Sequence, residues 1–126
     1  HLRARIGLEW SVMLLGGGGN PAAYYLHAGA RMAHDSRGTA AGTTQIVSGN
    51  EYVGVRLTTE LEPAGDAWWA PVETVSNSEA GFERVYQGSS LLLSWPVDLA
   101  PGATWVAAVR QHVDATRDHA ADEERT

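Results

Sequence analysis

The residues best equipped for chemistry lie between Trp68 and Gly88. Glu73, Glu79 and Glu83 supply three carboxylates, with Thr74, Ser76, Asn77 and Ser78 among them and Gln87 shortly after. Carboxylates so placed can act as a general acid and base, or hold a hard cation through oxygen ligands. A glycosidase needs two such groups flanking the scissile bond, at a separation that spacing in sequence does not reveal. The competing reading is a polar turn between strands, with Ser and Asn bonding their own backbone. The adjacent pair Trp68-Trp69 adds a second capability. Neighbours in a strand point to opposite faces, so one indole can be buried while the other is exposed. An exposed indole is a platform for the C–H face of a sugar ring, whose hydroxyls seek carboxylates and amides. It serves equally to cover a domain interface. Trp68, Trp69, Glu73, Glu79, Glu83 and Gln87 are the candidate carbohydrate-binding residues.

Two further patterns invite chemistry and then lose it. The run Gly16-Gly17-Gly18-Gly19 suggests a phosphate cradle. The lysine and Ser/Thr that complete such a loop are absent and no helical pattern follows, so a connection between strands is the better reading. His27 and His34, like His112 and His119, fall at i, i+7, which shares a face on a helix and would suit a metal. These histidines sit in Gly/Ala-rich or charged segments and read as surface residues. No metal or other cofactor is called for.

The elements that must position these groups fit one domain. The chain has 126 residues, 44% of them hydrophobic, and no cysteine. It can build a core without disulfides, and thiolate metal sites and catalytic thiols are excluded. Nine basic residues, all arginine, stand against fifteen acidic ones, a net charge of −6. That balance argues against a nucleic-acid partner. No apolar stretch is long enough to span a bilayer. The chain opens on His1 and strand-like alternation, not on a signal peptide, and a cytoplasmic location is expected.

From Arg5 to Leu15, apolar Ile6, Leu8, Trp10, Val12 and Leu14 alternate with Arg5, Gly7, Glu9 and Ser11, the period of a long strand with one buried face. Val53, Val55, Leu57, Thr59 and Leu61 repeat the pattern, and Thr43 to Val47 is expected to pair with them through a turn at Ser48-Gly49-Asn50. Ala22 to Ala30 carries a short aromatic stretch and Arg31 to Gly42 reads as a loop. Pro63 to Asp66 breaks the chain before Trp68, and Gly88-Ser89 separates runs at Phe82 to Gln87 and Ser90 to Trp95. Ala103 to Val113 fits a strand with Trp105, Ala107 and Val109 on one face, or a helix with Val106, Val109 and Val113 on one face. The turn residues Pro101-Gly102 favour the strand. The expectation is an all-β antiparallel sandwich over residues 1–113, followed by a polar, flexible tail over 114–126.

The segment from Trp68-Trp69 through Pro71-Val72-Glu73-Thr74-Val75-Ser76, Ser78-Glu79 and Gly81-Phe82-Glu83 to Tyr86-Gln87-Gly88 resembles the C-terminal β-sandwich domain of glycoside hydrolase family 57 enzymes, the α-amylase and 4-α-glucanotransferase group. Leu8-Glu9-Trp10 running into Leu14-Leu15 and a glycine-rich loop fits that resemblance, as do Trp95-Pro96-Val97 and Pro101-Gly102. It covers residues 6–112 and is specific mainly over 68–88. The resemblance implies a galactose-mutarotase-like sandwich, of which this chain would be the C-terminal half or a shortened version. It also implies a catalytic (β/α) barrel elsewhere in the same parent chain as partner, with α-glucan oligosaccharide as a possible contact. The family's catalytic carboxylates lie in that barrel, so no catalytic residue is expected here. Two alternatives stand beside this accessory role: a small mutarotase-like enzyme using Glu73, Glu79 or Glu83, and a purely structural domain. The first wants a histidine acid opposite a glutamate base, and neither His27 nor His34 sits in a strand pattern that would fix it there.

Overall fold

The computed structural model describes residues 1–12, 21–79 and 81–115. All regular structure among them is β: β1 Leu2–Val12, β2 Ala23–His27, β3 Ala30–Ala33, β4 Gly38–Asn50, β5 Val55–Ser78, β6 Gly81–Leu99 and β7 Ala108–Ala115. One seven-stranded sheet runs β1-β6-β5-β4-β2-β3, with β7 paired to β5. Every pairing is antiparallel. The glycine run and residues 116–126 of the expected tail lie outside the described residues, whereas Asp114 and Ala115 close β7.

The architecture turns on β5. Its first part, Val55–Glu62, lies between β4 and β7, and its later part pairs with β6 from Asp66 onward. Between these parts the pairing with β4 slips, from Gln45↔Glu60 to Thr43↔Gly65. Gly42, with φ of 61°, supplies the left-handed residue that such an irregularity favours on the β4 side. Gly65 faces the Ser94 carbonyl and the Trp95 ring so closely that a Cβ there would stand 2.8 Å from both. The Trp95 indole N–H donates to the Pro63 carbonyl at 2.8 Å and ties down the same bend. Folded over here, the sheet brings Tyr25, Ile46, Leu61, Ala67, Trp69, Leu91, Leu93 and Trp95 into one core, with Trp105, Ala107 and Val109 packed against it. The result is the all-β, sandwich-like arrangement that the alternation predicts.

Several local expectations need correction. Pro63 to Asp66 does not end a strand. A residue without an N–H is tolerated where the ladder is already slipping. Gly88-Ser89 likewise sits inside β6, where Val72↔Gly88 gives way to Glu73↔Tyr86 and Gln87 is the extra residue of a bulge. The hairpin turn falls at residues 51–54, after Ser48-Gly49-Asn50 rather than on them. There the Asn50 side chain accepts from the N–H groups of Tyr52 and Val53, at 2.9 and 3.1 Å. The expected loop from Arg31 to Gly42 contains the rest of β3 and the start of β4, the first only four residues long and the second too small in side chain to show a pattern. The ambiguous run ends as a strand, with Trp105 edge-on to Trp95 at 5.9 Å between ring centroids.

Strand β1 departs most from expectation. Among the described residues it pairs with β6 alone, and its apolar alternation faces the core side of the sheet. Nothing among the described residues closes over its first half: Ile6 is 45% and Leu8 48% exposed, and only Val12 is buried. The second layer ends at the 103–109 segment. Ile6, Leu8, Trp95, Trp105, Val106, Ala107 and Val109 consequently line an open apolar recess of about 390 Å³.

Candidate functional site

Alternation along β5 separates the two adjacent tryptophans as strand geometry requires. Trp69 turns into the core at 6% exposure, and Trp68 turns out at 53%. Beyond them β5 and β6 continue as a two-stranded ribbon to the turn at Glu79, with residues 72–77 and 81–85 exposed. The expected site residues are strung along this ribbon. Glu73 falls by alternation on the face of Trp69, with its carboxylate 3.9 Å from the Arg84 guanidinium. Glu83 pairs with Ser76, roughly 26 Å from Trp68 along β5 at about 3.3 Å per residue. Glu79 lies at the tip, farther still. The Gln87 amide donates to the Thr74 hydroxyl at 3.1 Å. The fold therefore does not bring Glu79 or Glu83 to the ring of Trp68.

It brings a different set there. Read across the sheet, Glu9 of β1 lies opposite Leu92 of β6, Leu92 opposite Trp68 of β5, and Trp68 opposite Thr39 of β4. With Arg37, Gly38, Ala70 and Ser90, these residues and the flank of Trp69 line a groove of about 530 Å³. Its floor is apolar, formed by the Trp68 indole, Leu92 and Ala70. Its rim is polar. The Ser90 hydroxyl donates to Glu9 Oε1 at 2.8 Å, and that bond holds the carboxylate in the rim. One row away, Arg5 Nη1 donates to Asp66 Oδ2 at 2.7 Å and to the Ser94 hydroxyl at 3.1 Å, continuing a polar surface across the same face. Glu9 and Arg37 were not among the candidates because each is isolated in sequence. Only the register of β1 on β6 puts Glu9 beside Trp68.

The histidines expected at the surface divide. His27 ends β2, half-buried, with Nε2 3.2 Å from the Thr43 hydroxyl. His34 is fully buried at 0% exposure. Its ring stacks on Tyr25 at 4.5 Å, and its two nitrogens bond the hydroxyls of Tyr86 and Ser48. Tyr25 in turn shares a short hydrogen bond with Ser89. Burial pulls the His34 pKa down to about 4, with a small opposing pull from the Asp35 carboxylate. Burial, followed by the neighbouring Tyr25 and Asp35, pushes Tyr86 up to about 12. The imidazole is held neutral, and hydroxyls that both donate and accept can satisfy both of its nitrogens. The ring has no exposed surface of its own, and its bonds and stack tie the segment at residue 34 to β2, β4 and β6. Its chemistry was hidden because the apolar pattern that buries it belongs to other strands.

Compared with known families, residues 1–109 match the model described as Alpha-amylase/4-alpha-glucanotransferase, C-terminal. The chain belongs to that family. A curated relative, Alpha-amylase 1 of Dictyoglomus thermophilum, is 47% identical over 58 residues, which are 46% of this chain and 8% of that protein. The match thus spans a small part of the relative's length. No solved structure matches. No helix among the described residues is long and apolar enough to cross a membrane.

Proposed function

We propose that this chain is the non-catalytic C-terminal accessory domain of an α-glucan-processing enzyme of the glycoside hydrolase family 57 type, either a hydrolase or a 4-α-glucanotransferase. It would work in the cytoplasm, seated on the catalytic (β/α) barrel of the same parent chain and contacting oligosaccharide. The observation that carries this reading is the unfinished edge of the core. Ile6 and Leu8 carry the alternation of buried strand residues yet remain half exposed beside Trp95 and Trp105. A contiguous apolar recess of this kind is what a domain interface leaves behind when its partner is removed. Family membership supplies the α-glucan context, and the buried His34 weighs against a mutarotase-like enzyme.

Hydrogen exchange tests the docking half of the reading. Amides of β1 and of residues 103–109 should exchange more slowly in the parent chain than in this chain alone. Equal exchange would remove the interface. In the isolated chain, replacing Ile6 and Leu8 together by Thr should change stability by no more than about 1 kcal/mol, since surface substitutions act weakly. The same change should reduce binding of a hydrophobic dye. A loss of several kcal/mol would mean that these side chains already lie in a closed core. As to catalysis, the purified chain should neither hydrolyse nor transfer α-1,4-glucan. Turnover of maltooligosaccharide that is lost on Glu79→Gln would contradict this.

A further inference from the structure

We infer that the outward face of the sheet around Trp68 is an oligosaccharide subsite for α-linked glucose, with Trp68 as the stacking platform and Glu9, Arg37, Thr39 and Ser90 as its polar rim. The inference rests on the α-glucan reading above for the linkage class alone. The geometry itself asks for a neutral pyranose.

Three features point the same way. The first is the order of side chains across four neighbouring strands, Glu9, Leu92, Trp68 and Thr39. At about 4.8 Å between strands, the Glu9 strand lies roughly 10 Å from that of Trp68, with low Leu92 between. A ring stacked on the indole has its C–H face over apolar floor while its edge reaches toward a carboxylate on one side and a hydroxyl on the other. Vicinal hydroxyls need that combination of acceptor and donor, and neither an apolar peptide nor a phosphate does. The second is Arg37. It is exposed at the groove, and its guanidinium forms no ion pair among the described residues. It can offer paired N–H donors to adjacent sugar oxygens. The third is size: a groove of about 530 Å³ falls within the range of small-molecule sites, roughly 300–1,000 Å³.

This face also stays available when the domain is docked. Even-numbered residues of β1, Ile6 and Leu8, belong to the apolar recess, whereas odd-numbered Glu9 belongs to the groove. One strand presents the partner surface on one side and the sugar surface on the other. Binding at the groove therefore requires no displacement of the barrel.

Titration of the full chain with maltoheptaose, followed by amide chemical shifts, tests the inference. One stacked ring with solvent-exposed hydrogen bonds should give a dissociation constant on the order of 1 mM. Shifts should centre on Glu9, Thr39, Trp68 and Ser90. Trp68→Ala should abolish binding up to tens of millimolar sugar, Trp68→Phe should retain part of it, and Glu9→Gln should weaken it several-fold. Phe82→Ala, an exposed aromatic far along the ribbon, should bind as the unchanged chain does. An equal melting temperature for Trp68→Ala shows that the fold is intact. Absence of shifts at tens of millimolar sugar, shifts confined to Ile6, Leu8 and Trp105, or binding lost in Phe82→Ala but kept in Trp68→Ala would each overturn the subsite. An equal response to a β-linked glucan would overturn the linkage class. Loss of docking with Trp68-dependent binding intact sinks the accessory-domain reading alone, and the converse sinks this one alone.

Discussion

Trp69→Ala should remove about 3–5 kcal/mol of folding stability, the usual cost of truncating a large buried aromatic, whereas Trp68→Ala one residue earlier should cost less than about 1 kcal/mol. Trp69 is buried against Tyr25, 5.9 Å away between ring centroids, and its N–H reaches the Ser36 hydroxyl at 3.3 Å. Its ring also covers Gly38 so closely that no Cβ would fit there. Truncation leaves a cavity walled by strands β2, β4 and β6, none of which can collapse into it without breaking its ladder. Against a typical total of 5–15 kcal/mol, such a loss leaves a large part of the chain unfolded at modest urea. Urea melts of the two variants make the comparison within one strand. Similar midpoints for both would show that the in-and-out assignment of this pair is wrong.

Acidification should destabilise the protein through His34. The folded-state pKa is lowered to about 4 from an ordinary value of 6.5. The unfolded chain therefore takes up a proton at His34 over a range where the folded chain does not. Stability from this group is complete above pH 6.5 and is lost as pH falls from 6.5 towards 4, by about 3 kcal/mol in all. Below pH 4 the group contributes no further change. The expected readout is a urea midpoint that drops between pH 7 and 4, with a slope that flattens in His34→Gln. A slope that persists unchanged in that variant would assign the effect to other groups. The variant is itself expected to be less stable at pH 7, since it loses the stack on Tyr25.

The parts of this molecule that were legible in sequence are those in which a single strand carries its own pattern. Val55, Leu57, Thr59 and Leu61 announced β5, and the Trp68-Trp69 pair announced one indole inside and one outside. Strand β3 was not legible because four residues are too few for a period, and the start of β4 was not because Gly, Thr and Ala show no apolar period even where the backbone is paired. Pro63 and Gly88 were misread for a related reason. Breaker residues mark a change of register as readily as the end of a strand, and only the partner strand tells the two apart. The candidate site divides along the same line. Trp68 was visible because its neighbour is another tryptophan. Glu9 was not, because its place beside Trp68 is set by a pairing between distant segments. The glutamate block drew attention by its density, yet a ribbon spreads dense sequence along its length.

The pairing of β1 bears also on the order of events during synthesis. Leu2 lies opposite Leu99, and the ladder runs inward to Val12 opposite Ser89. The first of the described strands to be made thus finds its one partner among them in the sixth. Contacts of such separation are slow to form, since the chain must close a long loop before any of them pays back. Until β6 emerges from the ribosome, the described strands offer Ile6, Leu8 and Trp10 no native pairing, and the segment is strand-forming, apolar and unpaired within this domain. Arg3 and Arg5 ahead of them, and Glu9 between Leu8 and Trp10, are charges of the kind that discourage such a segment from pairing with another nascent copy. Glu9 would then serve this chain twice, first as a gatekeeper while β1 waits and later in the rim beside Trp68.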